Sequence, residues 1–300
     1  MSAPAEVILR SEALEASFLP EIGARIHRLR AFGHDVLRTP EDPATHRDDP
    51  FFWGAYVMAP WCNRGPAGRA AVAGRAVELA ANFPDGSAIH GLVGARPWAW
   101  REGDGFEVRH EAPADGWPWS FKVRLLAAIE GDTLHLDYRL TNVADAPMPA
   151  GLGLHPWLRG PLELAVPARA VYGSNVASPA EPSPVRGRHD LRSPNPSPPG
   201  LDATWTGFAE PAIELAWPAF GVRASLEMAS SDGTLVAVAS PAGIPAVAVE
   251  PQTHGPDPFR RLAAGQADAP TLLAPGASLH LGLRLRFALA RNVLASGGYG

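Results

Sequence analysis

His155 and Glu250 are the two side chains best placed in this sequence to move protons. Each closes an apolar run, Gly151-Leu-Gly-Leu-His155-Pro-Trp-Leu158 and Ala246-Val-Ala-Val-Glu250-Pro-Gln-Thr-His254, and each is followed at once by proline. Proline withholds a backbone donor and ends pairing, so both residues are expected where strands finish and a side chain can meet a ligand. One base and one acid delivered from two separate strand ends are what proton-transfer catalysis requires. Taken singly, either also reads as an ordinary polar residue at a strand terminus.

Three further segments carry groups suited to hydroxyls. In Gly54-Ala-Tyr-Val-Met-Ala-Pro-Trp-Cys-Asn63-Arg64-Gly65 an apolar strand again stops at proline. The planar donor fork of Arg64 and the donor–acceptor amide of Asn63 together match vicinal hydroxyls, the alternative being a solvated turn. Ser87-Ala-Ile-His90-Gly91 places a histidine before glycine with Trp98 and Trp100 just beyond. Aromatic rings there would cover the apolar face of a pyranose; a buried structural histidine is the competing reading. Leu201-Asp202 opens the next apolar segment, where an aspartate serves either as a ligand or as a turn residue.

The elements that must position these groups are strands. Leu134, Leu136, Tyr138 and Leu140 alternate with His135, Asp137 and Arg139, and Leu279 to Phe287 alternate in the same way. Glu130-Gly131-Asp132-Thr133 joins 120–129 to 134–140 as a hairpin. Similar patterns recur near 6–10, 14–19, 25–32, 74–80, 106–111, 162–171, 212–217, 221–228 and 235–239, while only 41–49 and 258–264 suit even one helical turn. The 32 prolines and 30 glycines leave little room for long helices. The expectation is an all-β protein, a large antiparallel β-sandwich, in one domain over 1–290 with a flexible tail over 291–300. The proline-rich stretch 179–199 is expected to be a long surface loop. A net charge of −5 without a basic cluster argues against nucleic acid. No apolar run reaches the length of a membrane span and no signal peptide is visible, so a cytoplasmic protein is expected, with the single Cys62 fitting a reducing compartment.

In their order, Pro-Trp-Cys-Asn63-Arg64-Gly, Ile-His90-Gly, Gly-Leu-Gly-Leu-His155-Pro-Trp157, Leu-Asp202 and Val-Glu250-Pro-Gln-Thr resemble the aldose 1-epimerase (galactose mutarotase) family over residues 15–288. The resemblance implies a galactose mutarotase-like supersandwich with the sugar in an open cleft on one sheet. It implies Glu250 as general base and His155 as general acid. It implies sugar binding by His90, Arg64 and Asp202, with Asn63 and Trp157 beside them in the same motifs. The tract 249–259 is more similar to the bacterial aldose 1-epimerase-like branch than to the galactose enzymes, which leaves the identity of the aldose open.

Interconversion of α and β anomers opens the hemiacetal, rotates about C1–C2 and closes it again. A carboxylate and an imidazole can take and return the protons without redox chemistry or a covalent intermediate. The expected partner is therefore a free monosaccharide, no cofactor and no metal are needed, and the protein is expected as a monomer or homodimer. The rival readings are a sugar-binding protein without turnover, a sugar-phosphate mutarotase, and a glycosidase or lyase on a related sandwich, which would require a long groove and usually two carboxylates. Zinc held by His90, His155 and His254 lacks close ligand spacing. A serine nucleophile elbow and a dinucleotide-binding glycine pattern are both missing from the sequence.

Overall fold

The computed structural model of the chain describes residues 5–176, 180–209 and 212–290. The expected tail, 291–300, lies outside the described residues. Among the described residues, two large antiparallel sheets, of eleven and nine strands, face each other, with three two-stranded ribbons beside them. The period-two segments behave as their alternation requires. Leu134, Leu136, Tyr138 and Leu140 are buried between the sheets, whereas Arg139 is exposed and His135 and Asp137 lie half-buried on the outer face. The hairpin pairs Glu130 with Thr133 across Gly131-Asp132. One continuous apolar cluster runs from Val7 to Phe287 and is filled by both sheets. Among the described residues, α-helices are confined to Thr45–Asp48 and Pro258–Ala264, with short 3-10 turns besides. No helix among the described residues is long and apolar enough to cross a membrane.

Three expectations about elements need correction. The segment 162–171 is not one strand. Glu163–Ala165 pairs in the nine-stranded sheet and Ala168–Tyr172 in the eleven-stranded sheet, because Pro167 breaks the ladder and lets the chain change layers. The stretch 180–199 is more than a surface loop. Ser183–Pro184 and Asn195–Pro196 add short edges to the two sheets, and Val185 and Leu191 are buried in the core.

The strands carrying His155 and Glu250 also do not end at their prolines. Gly153–Arg159 runs through Pro156, and Ala246–Gln252 runs through Pro251. The two strands are antiparallel neighbours, with Gly153 opposite Gln252 and Trp157 opposite Ala248. That register sets His155 directly across from Glu250. The amide of Thr253 donates to the carbonyl of Leu152 at 3.0 Å, which fixes the hydrogen-bonding parity of the ladder. The two bonds bracketing the His155–Glu250 pair would have to be donated by residues 156 and 251. Both are proline, and the regular ladder is interrupted between the flanking pairs. The motif prolines thus open a gap beneath the acid–base pair rather than terminating the strands.

Candidate active site

Register across the eleven-stranded sheet arranges the site in rows on its outer face. One row is Tyr56, His155, Glu250, Ala237 and Thr204; the next holds Trp157, Ala248, Ala239 and Asp202. The alternation that sends Leu154, Pro156, Val249 and Pro251 inward sends His155, Trp157 and Glu250 outward. The alanines between the larger residues leave a hollow. It is a cavity of about 200 Å³, lined among others by His90, Arg64, Asp202, His155, Trp157 and Glu250.

Nε2 of His155 lies 3.3 Å from Oε1 of Glu250, and both side chains are buried. The imidazole is held in an aromatic cage. Tyr56 stacks on it at 4.6 Å, His90 meets it edge-on at 5.0 Å, and Trp157 lies at 5.2 Å. The second oxygen of Glu250 is buried without a hydrogen-bond partner. Burial therefore disfavours its charge, with Asp202 acting in the same direction and Arg64 opposing, and the carboxyl is pushed up to about 8. Burial likewise lowers His155 to about 3, partly offset by its own backbone and reinforced by Arg25. Both shifts favour the uncharged forms, so at neutral pH the pair holds a single proton.

His90 and Asn63 both adopt left-handed backbone conformations, with φ of 61° and 57°. Neither is glycine, and such strain is concentrated at functional sites. The two are locked together: the amide of His90 donates to the carbonyl of Asn63, and the amide of Asn63 donates to Nδ1 of His90 at 3.3 Å. With Nδ1 accepting, the proton of the neutral ring resides on Nε2. Burial, with His155 and Arg64, keeps His90 well below the ordinary histidine range. It is a fixed neutral donor. The side-chain amide of Asn63 donates to Gln252 at 3.0 Å, so this residue orients its neighbours as well as lining the cavity.

Arg64 pairs with Asp85 at 2.6 Å and Asp202 at 3.4 Å. Asp202 opens its strand and is held on its other oxygen by the Asn175 amide at 2.7 Å, which in turn accepts from Thr204 at 2.7 Å. Asp85 and Asn175 were not singled out in the sequence, since neither sits in an apolar run. Trp98 and Trp100 do not line the site. Trp98 is in the core with its indole on the carbonyl of Val93, and Trp100 pairs with Phe106 on the other sheet. The aromatic walls are Phe51, Phe52, Tyr56, Phe83 and Trp157. The run Phe51-Phe52-Trp53 ahead of Gly54 was the available signal.

The three-histidine metal set does not form. His254 accepts from the amide of Cys62 at 2.9 Å and bonds the carbonyl of Gly255 at 2.8 Å, so both ring nitrogens have structural partners. A Cβ on Gly151 would lie 2.3 Å from its ring, which explains the first glycine of that motif. The ligating atoms of His90, His155 and Glu250 do come within 4.8 Å of one another. For a metal at this cluster, however, His90 would need a lone pair on Nε2, and its bond from Asn63 places a proton there.

A model of the family described as aldose 1-epimerase matches residues 6–210. No curated protein sequence matches the chain. Among solved structures, the chain is similar to a putative aldose 1-epimerase from Escherichia coli K12, with 19% identity, a TM-score of 0.78, and 95% of this chain and 99% of that one covered. It is similar to a galactose mutarotase-like protein from Clostridium acetobutylicum, with 15% identity, a TM-score of 0.79 and 94% of each chain covered. It is also similar to an aldose epimerase homologue from C. elegans, with 17% identity, a TM-score of 0.78, and 96% of this chain and 99% of that one covered. The fold is that of the galactose mutarotase-like β-sandwiches.

Proposed function

The chain belongs to the aldose 1-epimerase family, and we propose that it interconverts the α and β anomers of a free, neutral aldose. The observation that carries this reading is the cross-strand His155–Glu250 pair, 3.3 Å apart, at the floor of a cavity bearing His90, Arg64 and Asp202. Glu250 takes the proton from the C1 hydroxyl while His155 delivers one to the ring oxygen. Ring opening thus leaves the carboxyl protonated and the imidazole neutral, the form that burial favours. Closure reverses both transfers on either face of C1 after rotation about C1–C2. Sugar hydroxyls and Arg64 solvate the carboxylate when the cyclic sugar is bound, and the short contact lets the proton cross to His155 first.

His90 donates from Nε2, and Arg64 with Asp202 clamps hydroxyls. Arg64→Ala is expected to raise KM by about tenfold to a hundredfold, with a smaller change in kcat, because a hydroxyl clamp serves ground and transition states alike. A loss confined to kcat would assign Arg64 to the chemistry instead.

A neutral substrate follows from the charges. Among the described residues, Arg64 is the only arginine or lysine lining the reaction cavity, and it faces two aspartates. Arg69 pairs with Glu78, Arg75 bonds the carbonyl of Pro118, and Arg96 pairs with Asp115. A phosphate usually requires several unmatched donors. The test is polarimetry on fresh α-D-glucose, D-galactose, D-xylose and L-arabinose, with D-glucose 6-phosphate as comparator. Faster equilibration of a free aldose than with heat-killed protein is expected, and a lower kcat/KM for the phosphate. Binding without any acceleration would establish a non-catalytic sugar-binding protein. Overnight dialysis against a chelator is expected to leave the rate unchanged; a loss restored by zinc would overturn the metal-free mechanism.

A further inference from the structure

The row of side chains that holds Tyr56, His155 and Glu250 continues one strand further. Ile26 in Arg25–Ala31 pairs with Ala55 in Ala55–Met58, so Arg25 meets Tyr56 on the outer face of the sheet. A tight turn leads into that strand. Gly23 and Ala24 both take left-handed backbone, with φ of 77° and 47°, and a Cβ on Gly23 would lie 2.2 Å from the carbonyl oxygen of Gly94. Such a conformation is costly at alanine and persists where the surroundings enforce it.

The turn delivers a wholly buried guanidinium. It donates to the carbonyls of Trp53 at 2.9 Å and Pro50 at 2.7 Å, which flank Phe51 and Phe52, and of Gly94 at 3.3 Å, in the loop after His90. It also lies over the Tyr56 ring, 4.7 Å from the centroid, and Tyr56 stacks on His155 at 4.6 Å. The strand of Tyr56 runs between those of Arg25 and His155, so its ring stands between guanidinium and imidazole. Burial lowers Arg25 to about 10, which leaves it charged at neutral pH. Among the described residues no carboxylate forms an ion pair with it. A buried cation without a counter-ion is expensive, and an apolar side chain of similar volume would fill the space at less cost. The planar fork and the charge are therefore what this position uses.

The aromatic wall has anchors besides Arg25. Trp157 Nε1 donates to the carbonyl of Phe51 at 2.5 Å, and Arg38 donates to that of Phe52. The Tyr56 ring has no hydrogen-bonded anchor among the described residues, its hydroxyl being buried without a partner. Arg25 itself does not line the reaction cavity. We infer that Arg25 is a positioning residue of the proposed reaction, pressing the Tyr56 ring onto His155 and setting a fixed positive charge behind the imidazole. This inference rests on the anomerase reading above and adds a residue to it. The imidazole is otherwise faced by Glu250 from Ala246–Gln252 and by His90 from the loop after Ala88–Ile89. Arg25 is faced by His46, 3.5 Å away on the helix Thr45–Asp48, and by Asp49 beyond it. Burial and Arg25 hold His46 at about 3, so Arg25 supplies the positive charge on that side at neutral pH.

The experiment is polarimetry on fresh α-D-glucose and D-galactose across the pH range, for the parent, Arg25→Gln, Arg25→Lys, Tyr56→Leu and the double variant Arg25→Gln/Tyr56→Leu. Arg25→Gln is expected to lower kcat by about tenfold to a hundredfold with KM within about threefold, because a misplaced imidazole counts in proton transfer while the wall keeps its own anchors. Its acid limb is expected to move upward by about one pH unit, since removing a cation eases protonation of the imidazole. Arg25→Lys keeps the charge but cannot lie flat on the ring, so the limb is expected to stay and kcat to fall by about threefold or more. Tyr56→Leu is expected to match the glutamine variant in kcat, and the double variant to lose no more than about twofold beyond the worse single one, because both act through one stack. A residue serving only the fold would leave the limb in place and add its loss to that of Tyr56. Either result would overturn the inference alone. A thermal melt establishes folding, and should Arg25→Gln not fold, a lysine variant with the parent kcat would overturn the inference by itself. A parent that exchanges neither sugar would overturn the acid–base reading and this inference with it.

Discussion

Glu250→Gln is expected to lower kcat by at least about a hundredfold, the usual contribution of a positioned proton-transfer group. Glutamine keeps the shape and can still accept a hydrogen bond, but it cannot take the C1 proton. His155→Asn is expected to cost a similar factor by removing the group that serves the ring oxygen. The two losses should not add, because either change already leaves the other partner without its proton relay across the 3.3 Å contact. Folding provides the control. The folded Glu250 has its pKa raised from 4.5 to about 8 by burial, so the unfolded chain releases that proton first. Stability from this group is therefore greatest at low pH and declines as pH rises from about 4.5 to about 8. Glutamine carries no such liability, and the variant should melt at or above the parent temperature at neutral pH. A variant with near-parent turnover would remove Glu250 from the mechanism; a variant that fails to fold would contradict the account of its burial.

What could be read from the sequence divides along a physical line. Alternation reports the burial of a residue relative to its immediate neighbours, so the strands around Leu136 and Leu283 and the sandwich they build were legible. His155 and Glu250 were legible as strand-borne groups beside prolines. Their relation was not, because register between strands distant in sequence is decided by packing of the whole sheet. The prolines illustrate the limit: the missing donors were correctly read, but the inferred strand ends were not, since each strand keeps a neighbour on its other side. His155 still pairs with Tyr56, and Glu250 with Ala237. Trp98 and Trp100 misled for a related reason. Nearness in sequence to His90 says nothing about direction once Gly91 and Gly94 turn the chain, and Trp98 turns into the core. Asp85 and Asn175 act through Arg64 and Asp202 from loops whose positions follow from tertiary contacts alone.

The dependence of kcat/KM on pH should show a plateau spanning neutrality, with an alkaline limb near pH 8 and no acid limb in the ordinary histidine range. A glutamate and a histidine free in water, at 4.5 and 6.5, would share one proton only in the narrow interval between those values. Above it the pair is an anion, and below it a cation. Burial penalises both charged states and spares the neutral, singly protonated one, so it moves the two limits in opposite directions, to about 3 and about 8. Outside that interval the rate should fall about tenfold per pH unit, for want of a proton above it and of a base below it. The cleft thus extends the reactive state across pH 7, where an exposed pair would already have lost its proton. Neighbouring charges give the sign test. Arg64 lowers the Glu250 value, so Arg64→Ala should move the alkaline limb upward. Asp202 raises it, so Asp202→Asn should move the limb downward. An acid limb between pH 6 and 7 in the parent, or limbs that shift the opposite way in the variants, would show that the titrating group is not this buried pair.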